Sequence, residues 1–196
     1  IGMAPWNILA LTFTNKAAAE MKDRIAALIG LEKARYLCMG TFHSIFLRIL
    51  RTEYQAIGFN PNITIYDSSD SRSLIKAIVK EMKLDDKTYK PNVVGNRISA
   101  AKNRLIMPEQ YSSDSTAIRR DAADNLTEMH KIYAAYVARC RQANAMDFDD
   151  LLLYTFQLFF KNPEICQKYK QHFQYVLVDE FQDTNYAQHR ILSLLT

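Results

Sequence analysis

Four consecutive aromatic or aliphatic residues, Tyr175-Val176-Leu177-Val178, run straight into two acids, Asp179 and Glu180. An apolar run this short and without alternation reads as a strand buried on both faces, as in parallel sheets flanked by helices. In open sheets of that class, the residues just past the carboxyl end of a strand border the ligand crevice. An aspartate there can hold Mg²⁺, a hard cation that prefers oxygen ligands. A neighbouring glutamate can orient and deprotonate a water for phosphoryl transfer. A strand that simply ends in two solvated acids has the same local pattern, so the string alone leaves both readings open.

The rest of the chain supports the sheet-and-helix reading. Asn7 to Phe13 (NILALTF) is a second buried strand, preceded by the turn residue Pro5. Thr14 or Asn15 caps a helix whose Ala18, Met21, Ile25, Leu28 and Ile29 recur at three- and four-residue steps, with Gly30 as its stop. Tyr36 to Met39 and Ile63 to Tyr66 are further strand candidates, and a helix carrying Phe46, Ile49, Leu50 and Tyr54 lies between them. From Ser68 to Ala145 the periodicity is helical, with Pro91 and Pro108 punctuating it. Asp149 to Phe160 is helical and strongly apolar. Strands separated by helices predict an α/β layer with a parallel sheet, interrupted by a helical insertion.

Bulk properties exclude several classes. The 196 residues are 48% hydrophobic and 23% charged, enough apolar content for a packed core and unlike a disordered chain. A net charge of +4 permits an anionic partner without demanding one. Cys38, Cys140 and Cys166 lie far apart without metal-ligand spacing, which suits a reducing cytoplasm. No apolar run approaches the roughly 20 residues that span a bilayer. No basic segment precedes an apolar stretch near the start, so no secretory signal is expected. The first residue is Ile1 rather than Met, as expected for a piece of a longer polypeptide.

Four segments carry a resemblance. Asp179 to Asn185 reads DEFQDTN and resembles motif II of the superfamily 1 DNA helicases of the UvrD/PcrA/Rep type. Leu11 to Met21 (LTFTNKAAAEM) looks like motif Ia of that family, and Gly40 to Ser44 (GTFHS) like motif Ib. Asp147 to Leu152 (DFDDLL) is similar to the segment between the family's insertion and motif II. The order and spacing match from about Trp6 to the end. The resemblance implies a helix-rich α/β fold: a partial RecA-like, P-loop NTPase parallel sheet with an all-helical insertion subdomain. It divides the chain into motor domain 1A, first part (1–67), the helical 1B insertion (68–146), and motor domain 1A, second part (147–196).

The resemblance also implies roles. Asp179 is expected to carry Mg²⁺, Glu180 to be the general base toward the γ-phosphate of ATP, and Gln182 to lie near the nucleotide. Phe13, Thr14 and Asn15 are expected along the single-stranded DNA path, where an aromatic face suits base stacking and a helix N-terminus suits a phosphate. Thr41, Phe42 and His43 form an expected second DNA contact. Each has a plain structural alternative: Phe13 and Phe42 as core, Thr14 and Asn15 as helix caps, His43 as a capping or surface histidine. Between Arg72 and Arg104 nine basic residues face three acids, Glu81, Asp85 and Asp86. That stretch is either a duplex-facing surface, with Lys102, Asn103 and Arg104 as contacts, or an ordinary solvated helix face.

The five glycines form no G-x-x-x-x-G-K-[ST] loop. The expectation is therefore a fragment of an ATP-dependent DNA helicase that moves 3′ to 5′ on single strands and unwinds duplex in repair or replication, inactive by itself. Its partners would be single-stranded and forked DNA, with no membrane. Its sheet, lacking the phosphate-loop strand, is expected to rearrange, pair with another copy or be poorly ordered. Two alternatives remain: a non-catalytic DNA-binding or protein-docking module of the same ancestry, and the helicase part of a RecB- or AddA-type helicase–nuclease.

Overall fold

The computed structural model describes residues 4–196; Ile1, on which the expectation of a longer polypeptide rests, lies outside them. The chain forms two compact units, one from the residues up to Ile57 together with Tyr154–Thr196, the other Gly58–Leu153.

The first unit is built on three parallel strands: β1 (Ile8–Thr12), β2 (Cys38–Thr41) and β5 (Tyr175–Val178), in the order β2-β1-β5. Each of the first two feeds a helix, α1 (Asn15–Ile29) and α3 (Phe42–Thr52). A short α2 (Leu31–Ala34) links α1 to β2. The helix α11 (Tyr186–Leu195) follows β5. Leu9 and Leu11 of the central strand, with Phe46 and Leu50 of α3, are fully buried.

Three expectations for this unit shift. The second strand starts at Cys38 rather than Tyr36, because the Tyr36 and Leu37 amides are spent closing the turn after α2, donating to Lys33 O and Ala34 O. The apolar face of α1 loses its cover toward the C-terminus: Ala18 is buried, Met21 and Ile25 are half-buried, and Leu28 is 84% exposed. Fifteen helical residues span about 22 Å and five strand residues about 17 Å, so the last turn overruns the sheet. The strand Tyr175–Val178, expected to be buried on both faces, is exposed on one: β1 is hydrogen-bonded on both sides, whereas β5 lies at the end of the strand order with Tyr175 and Leu177 49% and 57% exposed.

The second unit is helical, with α4 (Ser68–Glu81), α5 (Pro91–Asn103), α6 (Pro108–Ser113), α7 (Ser115–Ala123) and α8 (Met129–Gln142). Its core gathers Ile75, Ile78, Val94, Ile98, Ile132 and Tyr133. The strand candidate at Ile63–Tyr66 does not join the main sheet. Its core, β3 (Thr64–Ile65), pairs in parallel with β4 (Ala145–Met146), a strand hidden in the sequence because two residues are too few for a periodic signal. The helix α9 (Phe148–Lys161) starts in this unit and continues in the first, where α10 (Pro163–His172) follows. Among the described residues, no helix is long and apolar enough to cross a membrane.

Candidate functional site

The three parallel strands of the first unit end along one edge, and their register puts Thr41, Thr12 and Asp179 in a row. Thr12 pairs with Thr41, and Leu11 with Val178. The Asp179 amide extends that ladder by one rung, donating to Leu11 O at 2.9 Å. Thr12 is 2% exposed, and its hydroxyl donates to Asp179 Oδ2 at 3.4 Å. Asp179 is thus fixed at backbone and side chain while its carboxylate remains open to solvent. The sequence reading passed over Thr12; the signal was a hydroxyl inside an otherwise apolar run.

Glu180 follows with φ 52° and ψ 48°, in the left-handed region. Among the described residues, four other non-glycine positions share positive φ: Lys83, Leu105, Asn125 and Asn144. Each lies just past a helix C-terminus, where a left-handed residue is a routine terminator. Glu180 instead sits at the end of a strand, where such a conformation costs about 1–2 kcal/mol for a residue with a Cβ. Backbone strain of this kind concentrates at functional sites. The turn continues as a single 3-10 turn, Phe181–Asp183, and Asn185 caps α11 by accepting from the Gln188 amide. Gln182 donates its amide to Glu180 Oε2, so the two expected nucleotide-side groups are brought together.

The two expected DNA segments follow β1 and β2 at the same edge. Thr14 caps α1, its hydroxyl accepting from the Ala17 amide at 3.1 Å, and Asn15 opens the helix; both are exposed. Phe13 is half-buried, its ring 5.4 Å from that of Phe42. Phe42 is 1% exposed and packs edge-on against Phe46, so its ring is core rather than contact surface. Thr41 caps α3 by accepting from the Ser44 amide, and His43 lies half-buried in the first turn. Gly40 permits this close start: a Cβ there would lie 2.7 Å from Ser44 Oγ.

In the second unit the outcome for Lys102 differs from the basic-surface expectation. Its side chain is fully buried, and its ammonium lies 2.7 Å from Asp147 Oδ2 and 2.8 Å from Asp150 Oδ1. Tyr136 sets its ring under the same ammonium and donates its hydroxyl to Asp147 Oδ2 at 2.9 Å. Asp147 and Asp150 accept from each other's amides, which caps the start of α9. An ammonium this enclosed cannot reach a phosphate, so Lys102 is a structural cation. Burial pushes the Asp150 carboxyl up to about 6, with the Lys102 charge opposing it. Burial also works to raise Asp147, yet Lys102 outweighs it and holds that carboxyl below the ordinary range. Asn103 donates to Asp149 Oδ1 and is half-buried; Arg104 is exposed.

The match to known proteins covers the same ground. The model of the UvrD/REP helicase N-terminal domain matches residues 2–196. The chain is 42% identical over its whole length to a protein named ATP-dependent DNA helicase PcrA from Leuconostoc citreum, covering 25% of that protein. Over 96% of its length it is 46% identical to the ATP-dependent DNA helicase UvrD1 of Mycobacterium bovis, covering 24% of it. Over 98% it is 42% identical to the PcrA helicase of Bacillus subtilis, again covering 25%. The chain therefore spans about a quarter of the length of these relatives. With a family model matching nearly every residue and identities above 40% along the full chain, this protein belongs to the UvrD/REP helicase N-terminal domain family.

Proposed function

We propose that this chain supplies the water-activating and DNA-guiding part of motor domain 1A of an ATP-dependent DNA helicase, with the helices of residues 68–146 as its 1B insertion. The observation that carries this reading is the strained Glu180 at a strand end, beside an Asp179 fixed by Thr12 but left open. The edge suits Mg²⁺ in its donor chemistry: a carboxylate and a hydroxyl, both hard oxygens. Asp179 would hold the ion, which when bound neutralises charge on the ATP phosphates. Glu180 would accept the proton of the attacking water, and Gln182 would steady the Glu180 carboxylate. Phe13 would offer a ring face to a base, while Thr14, Asn15, Thr41 and His43 line the backbone path with hydroxyl, amide and imidazole groups. Asn103 and Arg104 remain the proposed contacts of the insertion. Travel from 3′ to 5′, a place in DNA repair or replication and a cytoplasmic location rest on the family resemblance alone.

The 196 residues contain no lysine-bearing glycine loop, so by themselves they are proposed to release no phosphate from ATP. The exposed edge of β5 supports self-association of the isolated chain, and light scattering that gives a clean monomer would exclude it. The decisive experiment uses a polypeptide of the relatives' full length and measures phosphate release with and without single-stranded DNA. DNA-stimulated turnover is expected, and Glu180→Gln should lower kcat by about 10²–10⁴-fold. Turnover no greater than that of the Gln variant overturns the motor reading. In the same protein, Phe13→Ala should weaken single-strand binding by about 1–3 kcal/mol if the ring carries a base.

A further inference from the structure

Two threonines stand side by side where β1 and β2 end, and only one of their hydroxyls is spent on local structure. Thr41 is 7% exposed and caps α3, accepting from the Ser44 amide at 3.2 Å. Thr12, its neighbour in the ladder, is 2% exposed, yet the helix that follows β1 is capped by Thr14 instead. The Thr12 hydroxyl donates to Asp179 Oδ2 at 3.4 Å and, among the described residues, makes no other hydrogen bond. Valine has the same branched shape, suits a buried strand equally well and carries no polar group that needs a partner. A hydroxyl at this position is therefore explained by Asp179 and not by the fold.

Neither end of this contact is loose. Strand β1 is hydrogen-bonded on both sides, and the Asp179 amide donates to Leu11 O at 2.9 Å. A β-branched side chain is also stiff about its first torsion. The hydroxyl is thus a fixed donor facing a carboxylate whose backbone is anchored. It engages Oδ2, while Oδ1 accepts from no group among the described residues.

We propose that, given the Mg²⁺ role assigned to Asp179 above, Thr12 is a positioning residue that makes this edge prefer Mg²⁺ to Ca²⁺. By engaging Oδ2 from the sheet side, it leaves Oδ1 as the oxygen offered to an ion. A single, fixed carboxylate oxygen suits Mg²⁺, which is small, demands near-ideal geometry and keeps several waters. Ca²⁺ is larger, takes more oxygens in a flexible arrangement and readily uses both oxygens of one carboxylate. Freed from the hydroxyl, Asp179 could turn both oxygens outward, which favours the larger ion.

The test uses a polypeptide of the relatives' full length and follows the binding of a fluorescent ADP analogue while Mg²⁺ or Ca²⁺ is titrated, a readout that needs no turnover. Thr12→Val should raise the Mg²⁺ midpoint about tenfold, as for loss of a hydrogen bond to a metal-ligating carboxylate. The Ca²⁺ midpoint should rise by less or fall, so the preference for Mg²⁺ narrows. Thr12→Ser keeps the hydroxyl and should keep the preference. Circular dichroism confirms that both variants are folded. Unchanged midpoints in Thr12→Val overturn the proposal, and so do equal shifts for the two ions. A serine variant that behaves as the valine variant also overturns it, because packing rather than the hydroxyl would then be responsible. The motor reading fails on a different result: metal-dependent binding of the analogue without any DNA-stimulated phosphate release sinks that reading and leaves the midpoints to decide on Thr12. Wild-type binding indifferent to both ions overturns the Mg²⁺ role of Asp179 and the role of Thr12 together.

Discussion

Two of this protein's strands end in aspartate, and the two ends have opposite fates. After β4, Asp147 gives both oxygens away: Oδ2 to the Lys102 ammonium and the Tyr136 hydroxyl, Oδ1 to the Asp150 amide. After β5, Asp179 takes one long hydrogen bond from Thr12 and keeps its remaining lone pairs toward solvent. Asp150 is buried against a cation, whereas Glu180 is exposed on a strained backbone. An acid whose acceptor sites are filled from within holds structure together. An acid fixed in place but left with empty acceptor sites is ready for a ligand. Residue type is shared, but β4 is wholly buried and β5 is exposed on one face; α5 carries Lys102 to the first end, and among the described residues no ion pair forms at Asp179.

The contrast can be broken most forcefully at Lys102. Lys102→Met leaves two buried carboxylates facing each other and should cost about 3–5 kcal/mol of stability, read by urea unfolding. A loss under 1 kcal/mol would mean that the acids escape to solvent and that the buried cluster is not a structural unit.

The next effect is in pH. Asp150 binds a proton more tightly folded than unfolded, so its contribution favours the fold at acid pH and fades as pH rises from the ordinary carboxylate value of 3.8 to about 6. Asp147 works in the opposite sense, contributing above the ordinary range and losing that contribution as pH falls. Relative to wild type, Asp150→Asn should therefore gain stability between pH 4.5 and 6.5, by on the order of 1–2 kcal/mol. A pH-independent difference between the two proteins would contradict this.

The smallest effect belongs to the open pair. Asp179→Asn and Glu180→Gln should each change unfolding stability by no more than about 0.5 kcal/mol, as expected for exposed groups with few partners. A loss of several kcal/mol in either would show that the edge is structural and would erase the distinction.

Much of this was legible in the sequence, for physical reasons. The central strand β1 announced itself because both of its faces need apolar residues, and the cap Thr14 because few side chains satisfy a helix start; β5 was found by the same apolar pattern, although one of its faces is exposed. Lys102 was misread because a charge count along a helix does not say which side turns inward. Its partners, Asp147 and Asp150, lie more than forty residues away. The strain at Glu180 was invisible because glutamate gives no hint of a left-handed backbone. Phe42 was given alternatives, contact or core, that only packing against Phe13 and Phe46 separates.

The left-handed backbone at position 180 sets two evolutionary pressures against each other. Glycine would adopt that conformation without a steric penalty, so selection for thermal tolerance alone would favour it there. A glycine has no carboxylate, so under the role proposed for Glu180 selection for turnover would restore the glutamate. A directed-evolution campaign screened only for soluble, heat-resistant protein is therefore expected to lose the carboxylate at this single codon.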